Sequence, residues 1–87
     1  MHEFSLMADL LRKIEQLARD AKAERVAVVT VKLGALCHIT PDHFREHFEA
    51  AIVGTVAEGA TLDIELSEDR DDPNAQDILL GSIEIPV

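Results

Sequence analysis

Leu6, Leu10, Ile14, Leu17 and Ala21 recur three or four residues apart, and Leu11 and Ala18 widen the same stripe. That period places apolar side chains along one face and predicts an α-helix over residues 5–22. Ser5 is its expected N-cap, a hydroxyl that accepts from an otherwise unpaired amide. Asp9 and Lys13, and Glu15 and Arg19, stand four apart with the acid first, as on a solvated helix face. After Arg25 the period changes to two. Val29, Val31 and Leu33 alternate with Thr30 and Lys32, predicting a strand over residues 26–33 that Gly34 ends. Thr40-Pro41-Asp42 then reads as a helix start, with Thr as cap, Pro in the first helical position and an acid in the first turn. Phe44, Phe48 and Ala51, with Ile52 beside them, form the stripe of this second helix, which should stop near Gly54. Leu62, Ile64 and Leu66 alternate with Asp63 and Glu65 as a one-faced strand. Residues 67–77 are charged and rich in breakers, with Pro73-Asn74 as a turn signal. Residues 78–85 form the last strand, with Leu79, Ile83 and Ile85 on one parity; Gly81 weakens it or marks a bulge.

The order is therefore helix, strand, helix, strand, strand after a short extended start. The economical packing is a two-layer α+β domain, with both helices on one face of a small three- to four-stranded sheet. The whole chain, residues 1–87, reads as one domain. Val26 and Val28 have the parity opposite to the core positions of their strand, as do Ile78 and Leu80 of theirs. Regular alternation would place these four on the sheet face away from the helices, and such an apolar patch marks a partner or self-association surface, a weak homodimer included. A bulge at Gly81 would flip the register and bury some of them.

Composition narrows the class. Eighty-seven residues, 47% of them apolar, can hold one modest core. Trp and Tyr are absent and Phe occurs three times, so that core is aliphatic. A single cysteine, Cys37, allows no internal disulfide and suits a reducing compartment. The first residues lack the apolar run of a signal peptide, and no stretch approaches a membrane span. The expected place is the cytoplasm. A formal net charge of −9 disfavours nucleic acid, whose phosphates call for a basic stripe. Five acids and one Arg fall between Glu68 and Asp77.

The candidate chemistry sits mainly at the start. The free amine of Met1, the amide between Met1 and His2, and the imidazole of His2 can chelate one ion through adjacent small rings. A planar, nitrogen-rich donor set suits Ni(II) or Cu(II) rather than Mg(II) or Ca(II). Such binding releases protons, so affinity should climb steeply through neutral pH. His43 and His47 project from one side of the second helix. His43-Phe44-Arg45-Glu46-His47 matches the His-x-x-Glu-His pattern of some zinc peptidases, but the chain offers no third ligand or cleft on that scale. The simpler reading is two partly exposed histidines; the alternative is an auxiliary metal site, with His38 as a further candidate donor. Cys37 reads as a small half-buried residue rather than a nucleophile. Asp71-Asp72 lacks the spaced oxygens of a calcium loop. No triad, phosphate loop or paired-carboxylate signature stands out, so the chain reads as a non-enzyme.

The ordered set Met1-His2-Glu3-Phe4-Ser5-Leu6, Arg25-Val26, Lys32-Leu33-Gly34-Ala35-Leu36, Thr40-Pro41 with Phe44 and Phe48-Glu49, Gly54-Thr55, Ala57-Glu58-Gly59-Ala60 and Leu62-Asp63-Ile64-Glu65 resembles the HypA/HybF family of hydrogenase maturation proteins, small nickel metallochaperones. The resemblance covers residues 1–66 and resumes over residues 78–85. It implies a transient Ni(II) site at Met1, His2 and Glu3, with the Glu3 amide as a fourth planar nitrogen. It also implies Ni(II) exchange with a maturation GTPase or the hydrogenase large subunit. Family members carry a zinc-binding insert with two Cys-x-x-Cys pairs where this chain has residues 67–77, which hold neither Cys nor His. A structural zinc site needs such ligands in pairs. The expectation is a nickel-domain relative without that zinc domain and without structural zinc. An adaptor that keeps the scaffold but does not deliver metal is the alternative.

Overall fold

The structure, a computed structural model, describes residues 2–86 and the side chains of residues 6–86. Its elements run α1 (His2–Asp20), β1 (Val28–Leu33), α2 (Pro41–Ala51), β2 (Thr61–Leu66) and β3 (Ile78–Glu84). The expected α+β class and element order hold, and the sheet has three strands.

α1 begins earlier than the apolar stripe suggests, so Ser5 lies inside the helix and is not its cap. The extra turn suits an acid at position 3, near the positive end of the helix dipole. Met7 is buried and extends the inward face by the same turn. The inward stripe is Met7, Leu10, Ile14 and Ala18, while Leu17 is 43% exposed. Asp9 pairs with Arg12 rather than Lys13, and Arg19 donates to Gln16. Both contacts lie on the solvated face and add little.

α1 ends in two crossed hydrogen bonds. The Lys22 amide donates to the Arg19 carbonyl at 2.9 Å and the Ala23 amide to that of Ala18 at 2.8 Å. This Schellman arrangement puts Lys22 in the left-handed region, with φ 56°. α2 starts as its sequence predicts. The Thr40 hydroxyl accepts from the His43 amide at 3.2 Å, and Pro41 opens the helix, where a missing N–H costs nothing. Phe44 and Phe48 drive into the core, with ring centroids 6.0 Å apart.

β1 is the central strand, in the order β2-β1-β3. It pairs parallel with β2, Val28 opposite Thr61 through Leu33 opposite Leu66. A parallel neighbour requires a crossover, and α2 supplies it. β1 pairs antiparallel with β3, Thr30 opposite Ser82 but Val31 opposite Leu80. Gly81 is the residue left over, a β-bulge. Before the bulge Ile83 stands opposite Val29; after it Leu80 and Ile78 stand opposite Val31 and Leu33. Val29, Val31 and Leu33 are fully buried. The bulge therefore carries Leu80 and Ile78 to the helix side and moves Leu79, expected there, opposite Lys32.

The core unites Leu10, Ile14, Val29, Val31, Leu33, Phe44, Phe48 and Leu62 with smaller neighbours. The acidic segment after β2 folds back over the end of β1. Leu36 and Gly34 donate to the carbonyls of Ala75 and Asp77 at 2.7 and 3.0 Å. Within it the carboxylates of Asp69 and Asp72 accept from the amides two residues on, local turns typical of Asp. Ala75 is buried, and Lys32 approaches Asp72 at 4.0 Å.

Candidate metal centre

Of the expected N-terminal donors, His2 and Glu3 stand at the start of α1. Met1, and the side chains of His2 and Glu3, lie outside the described residues, so the expected set of amine, imidazole and amides is seen only through its backbone. That backbone is helical from His2. The first four N–H groups of an α-helix have no intrahelical acceptor. The amides of His2 and Glu3, the two backbone nitrogens the planar set requires, are thus not consumed by the helix. A chelate ring through consecutive backbone nitrogens needs ψ near zero, against about −42° in a helix. Metal capture would flatten the first turn locally and leave the rest of α1 in place.

Of the other histidines, the structure brings two together. The Nε2 atoms of His43 and His47 lie 2.8 Å apart. Their ring centroids are 4.6 Å apart and the planes are tilted by 40°. The spacing of four on α2 produces this convergence, and the buried Phe44 and Phe48 that follow each histidine fix the rotation of the helix. His43 is exposed and His47 half-buried. His38 does not join them. It is exposed in the connection before α2, in the left-handed region with φ 61°. Among the described residues no group of three or more His, Cys, Asp or Glu side chains converges on one point. Cys37 is half-buried and its thiol donates to the Ile39 carbonyl at 3.6 Å, as a small packing residue would.

The expected interface residues do not share a free face. Val26 is 2% exposed, inside the core rather than turned away from the helices. It lies before β1, where its amide donates to Val56, so the strand's alternation does not govern it. Ile78 and Leu80 pack against the core because of the bulge at Gly81. Only Val28, half-buried and opposite Thr61 and Glu84, keeps its expected side of the sheet. An apolar groove runs between α1 and β3, lined by Leu17, Leu79 and Leu80 with Lys13 and Gln16. Sequence periodicity hid it by assigning Leu17 to the core.

The architecture is two helices against a three-stranded mixed sheet. The structure is similar to the solution structure of the Ni metallochaperone HypA from Helicobacter pylori, with a TM-score of 0.78 and 19% identity over 95% of this chain and 96% of that one. A second HypA solution structure has a TM-score of 0.73 at 22% identity, covering 99% of this chain and 97% of the other. At the level of sequence, residues 1–70 match the family model described as hydrogenase/urease nickel incorporation, metallochaperone, HypA. Hydrogenase maturation factor HypA of Methylocella silvestris is 41% identical over 66 residues, 76% of this chain and 58% of that protein. The HypA of Chlorobium limicola is 42% identical over 65 residues, 75% of this chain and 56% of its own length. The chain belongs to the HypA family of nickel metallochaperones for hydrogenase maturation. It spans less than two thirds of the length of these curated relatives. Among the described residues no helix is long and apolar enough to cross a membrane.

Proposed function

We propose that this chain is a non-enzymatic, cytoplasmic nickel carrier for maturation of a [NiFe] hydrogenase. It binds Ni(II) transiently through the Met1 amine, the amides of His2 and Glu3 and the His2 imidazole. The observation that carries this reading is the Met1-His2-Glu3 start within the stretch matched by the family model, on a helix whose first amides have no intrahelical acceptor. A terminal site is open to a partner, which can displace the donors one at a time. The partners of this reading are a maturation GTPase and the hydrogenase large subunit, reached by ligand exchange. Nickel titration tests it directly. The intact chain should take one Ni(II) with a planar absorption band, and His2→Ala or an extension before Met1 should abolish that band.

A second reading is favoured by residues 67–77. They contain no Cys or His and close as a compact turn on β1, with no place for a structural zinc made from cysteine pairs. On this reading the chain keeps the family scaffold as an assembly adaptor and delivers no metal. Absence of Ni(II) binding by the intact chain, with partner binding retained, would select it.

A further inference from the structure

The paired imidazoles on α2 have a use that the N-terminal donors leave open. We propose that His43 and His47 form a second cation site, a two-point clamp for a late first-row divalent ion such as Zn(II), Cu(II) or Ni(II). The two Nε2 atoms already face each other at 2.8 Å. One ring donates and the other accepts in that contact. A divalent ion that replaces the shared proton would sit about 2.0–2.1 Å from each nitrogen, which at a tetrahedral angle places the nitrogens about 3.3 Å apart. The rings need to part by about half an ångström, within reach of small torsions in exposed or half-buried side chains.

The clamp is held by a rigid element. Thr40 caps α2, Pro41 fixes its first turn, and Phe44 and Phe48, 1% and 0% exposed, lock its rotation. Little ordering remains to be done when the ion arrives, which favours binding. Two imidazole nitrogens select late transition ions over Mg(II) and Ca(II), which prefer oxygen. Among the described residues no third His, Cys, Asp or Glu side chain converges on the pair, so beyond these two ligands water or a partner's donors can complete the shell. A structural zinc site would be closed by four protein ligands; this one is built to let its ion go. Glu46, between the two histidines, does not turn the pair into a peptidase, because among the described residues no third ligand completes the centre.

The inference does not depend on the N-terminal nickel site, and the test separates them. Full-length chain carrying His2→Ala is titrated with Zn(II), followed by calorimetry and by the imidazole signals in nitrogen-correlated NMR spectra. The expected result is one Zn(II) per chain, with the His43 and His47 ring signals moving together and His38 unmoved. Loss of outer-shell partners alone weakens metal sites by about 10–100-fold, so His43→Ala or His47→Ala should each cost at least about tenfold. The double variant should bind none, with helical circular dichroism unchanged. Zn(II) binding that survives in the double variant would overturn the proposal. So would saturating Zn(II) that leaves both ring signals in place in the unmutated helix, a readout that needs no variant of α2.

Discussion

The backbone carbonyl of Ala75 occupies the space that a β-carbon on residue 34 would need, and Gly34 is the only residue type that fits beneath it. The contact ties the acidic segment to the end of β1, because Gly34 and Leu36 also donate to Asp77 and Ala75. Gly34→Ala must push backbone against backbone, with no flexible side chain to yield. Overpacking of this kind costs about 1–3 kcal/mol. Urea unfolding should show a fall of that size, and unchanged stability would mean that the segment lifts off freely.

The two helix ends make opposite predictions. Thr40→Ala removes the hydroxyl that accepts from His43 and should destabilise by about 1 kcal/mol. Lys22→Gly relieves a left-handed residue at the end of α1 and should stabilise by a similar amount, about 0.5–1 kcal/mol. Thermal melts of the two variants should therefore move in opposite directions.

The bulge at Gly81 distinguishes neighbours that composition cannot. Leu80 stands opposite buried Val31 and packs on the core, whereas Leu79 stands opposite half-exposed Lys32. A carboxylate forced against apolar surface goes unpaired and is costly. Leu80→Asp should destabilise by about 2 kcal/mol or more, and Leu79→Asp by less than half as much. Equal losses would show that β3 does not hold this register in solution.

Ni(II) capture at the N-terminus should be visible as lost protons. Planar binding through amide nitrogens requires them to deprotonate, so the amide signals of His2 and Glu3 should vanish on saturation. Those of α1 from Leu10 onward should persist, since their helical hydrogen bonds are untouched. Acidification should reverse the change, because protons compete for the same nitrogens. Retention of both amide signals in a nickel-saturated chain would exclude the planar backbone set.

Much of this architecture is legible in the chain. The shift from a period near 3.6 to one of two located α1 and β1, and Thr40-Pro41 marked the start of α2 to the residue. Local pattern failed where the answer is non-local. Leu17 fits the apolar stripe of α1 as well as Met7 does, yet the sheet lies under Met7, Leu10, Ile14 and Ala18, and nothing within the helix says so. The faces of β3 depend on its register with β1, a pairing between distant segments, so one extra residue at Gly81 inverted the parity of Ile78 and Leu80. Val26 differs for the complementary reason: it stands before β1, outside that strand's alternation. The convergence of His43 and His47 was legible from spacing alone, because both stand on one helix. The donor set at Met1, His2 and Glu3 comes from the chemistry of three residues and from family resemblance.

The central position of β1 has a consequence for how the chain acquires its shape. Both of its partners, β2 and β3, are synthesised after it, and β3 follows every other element. Until β3 arrives, one edge of β1 has no neighbour, and α1, which packs on β3, lacks part of its floor. Sheet closure must wait for contacts between opposite ends of the chain, the slow kind in folding. A nascent chain halted before residue 78 would present Val29, Val31 and Leu33 on an open edge, a template for unwanted pairing. Permuting the order of synthesis so that β3 precedes α1 would remove that interval, while placing residues ahead of Met1.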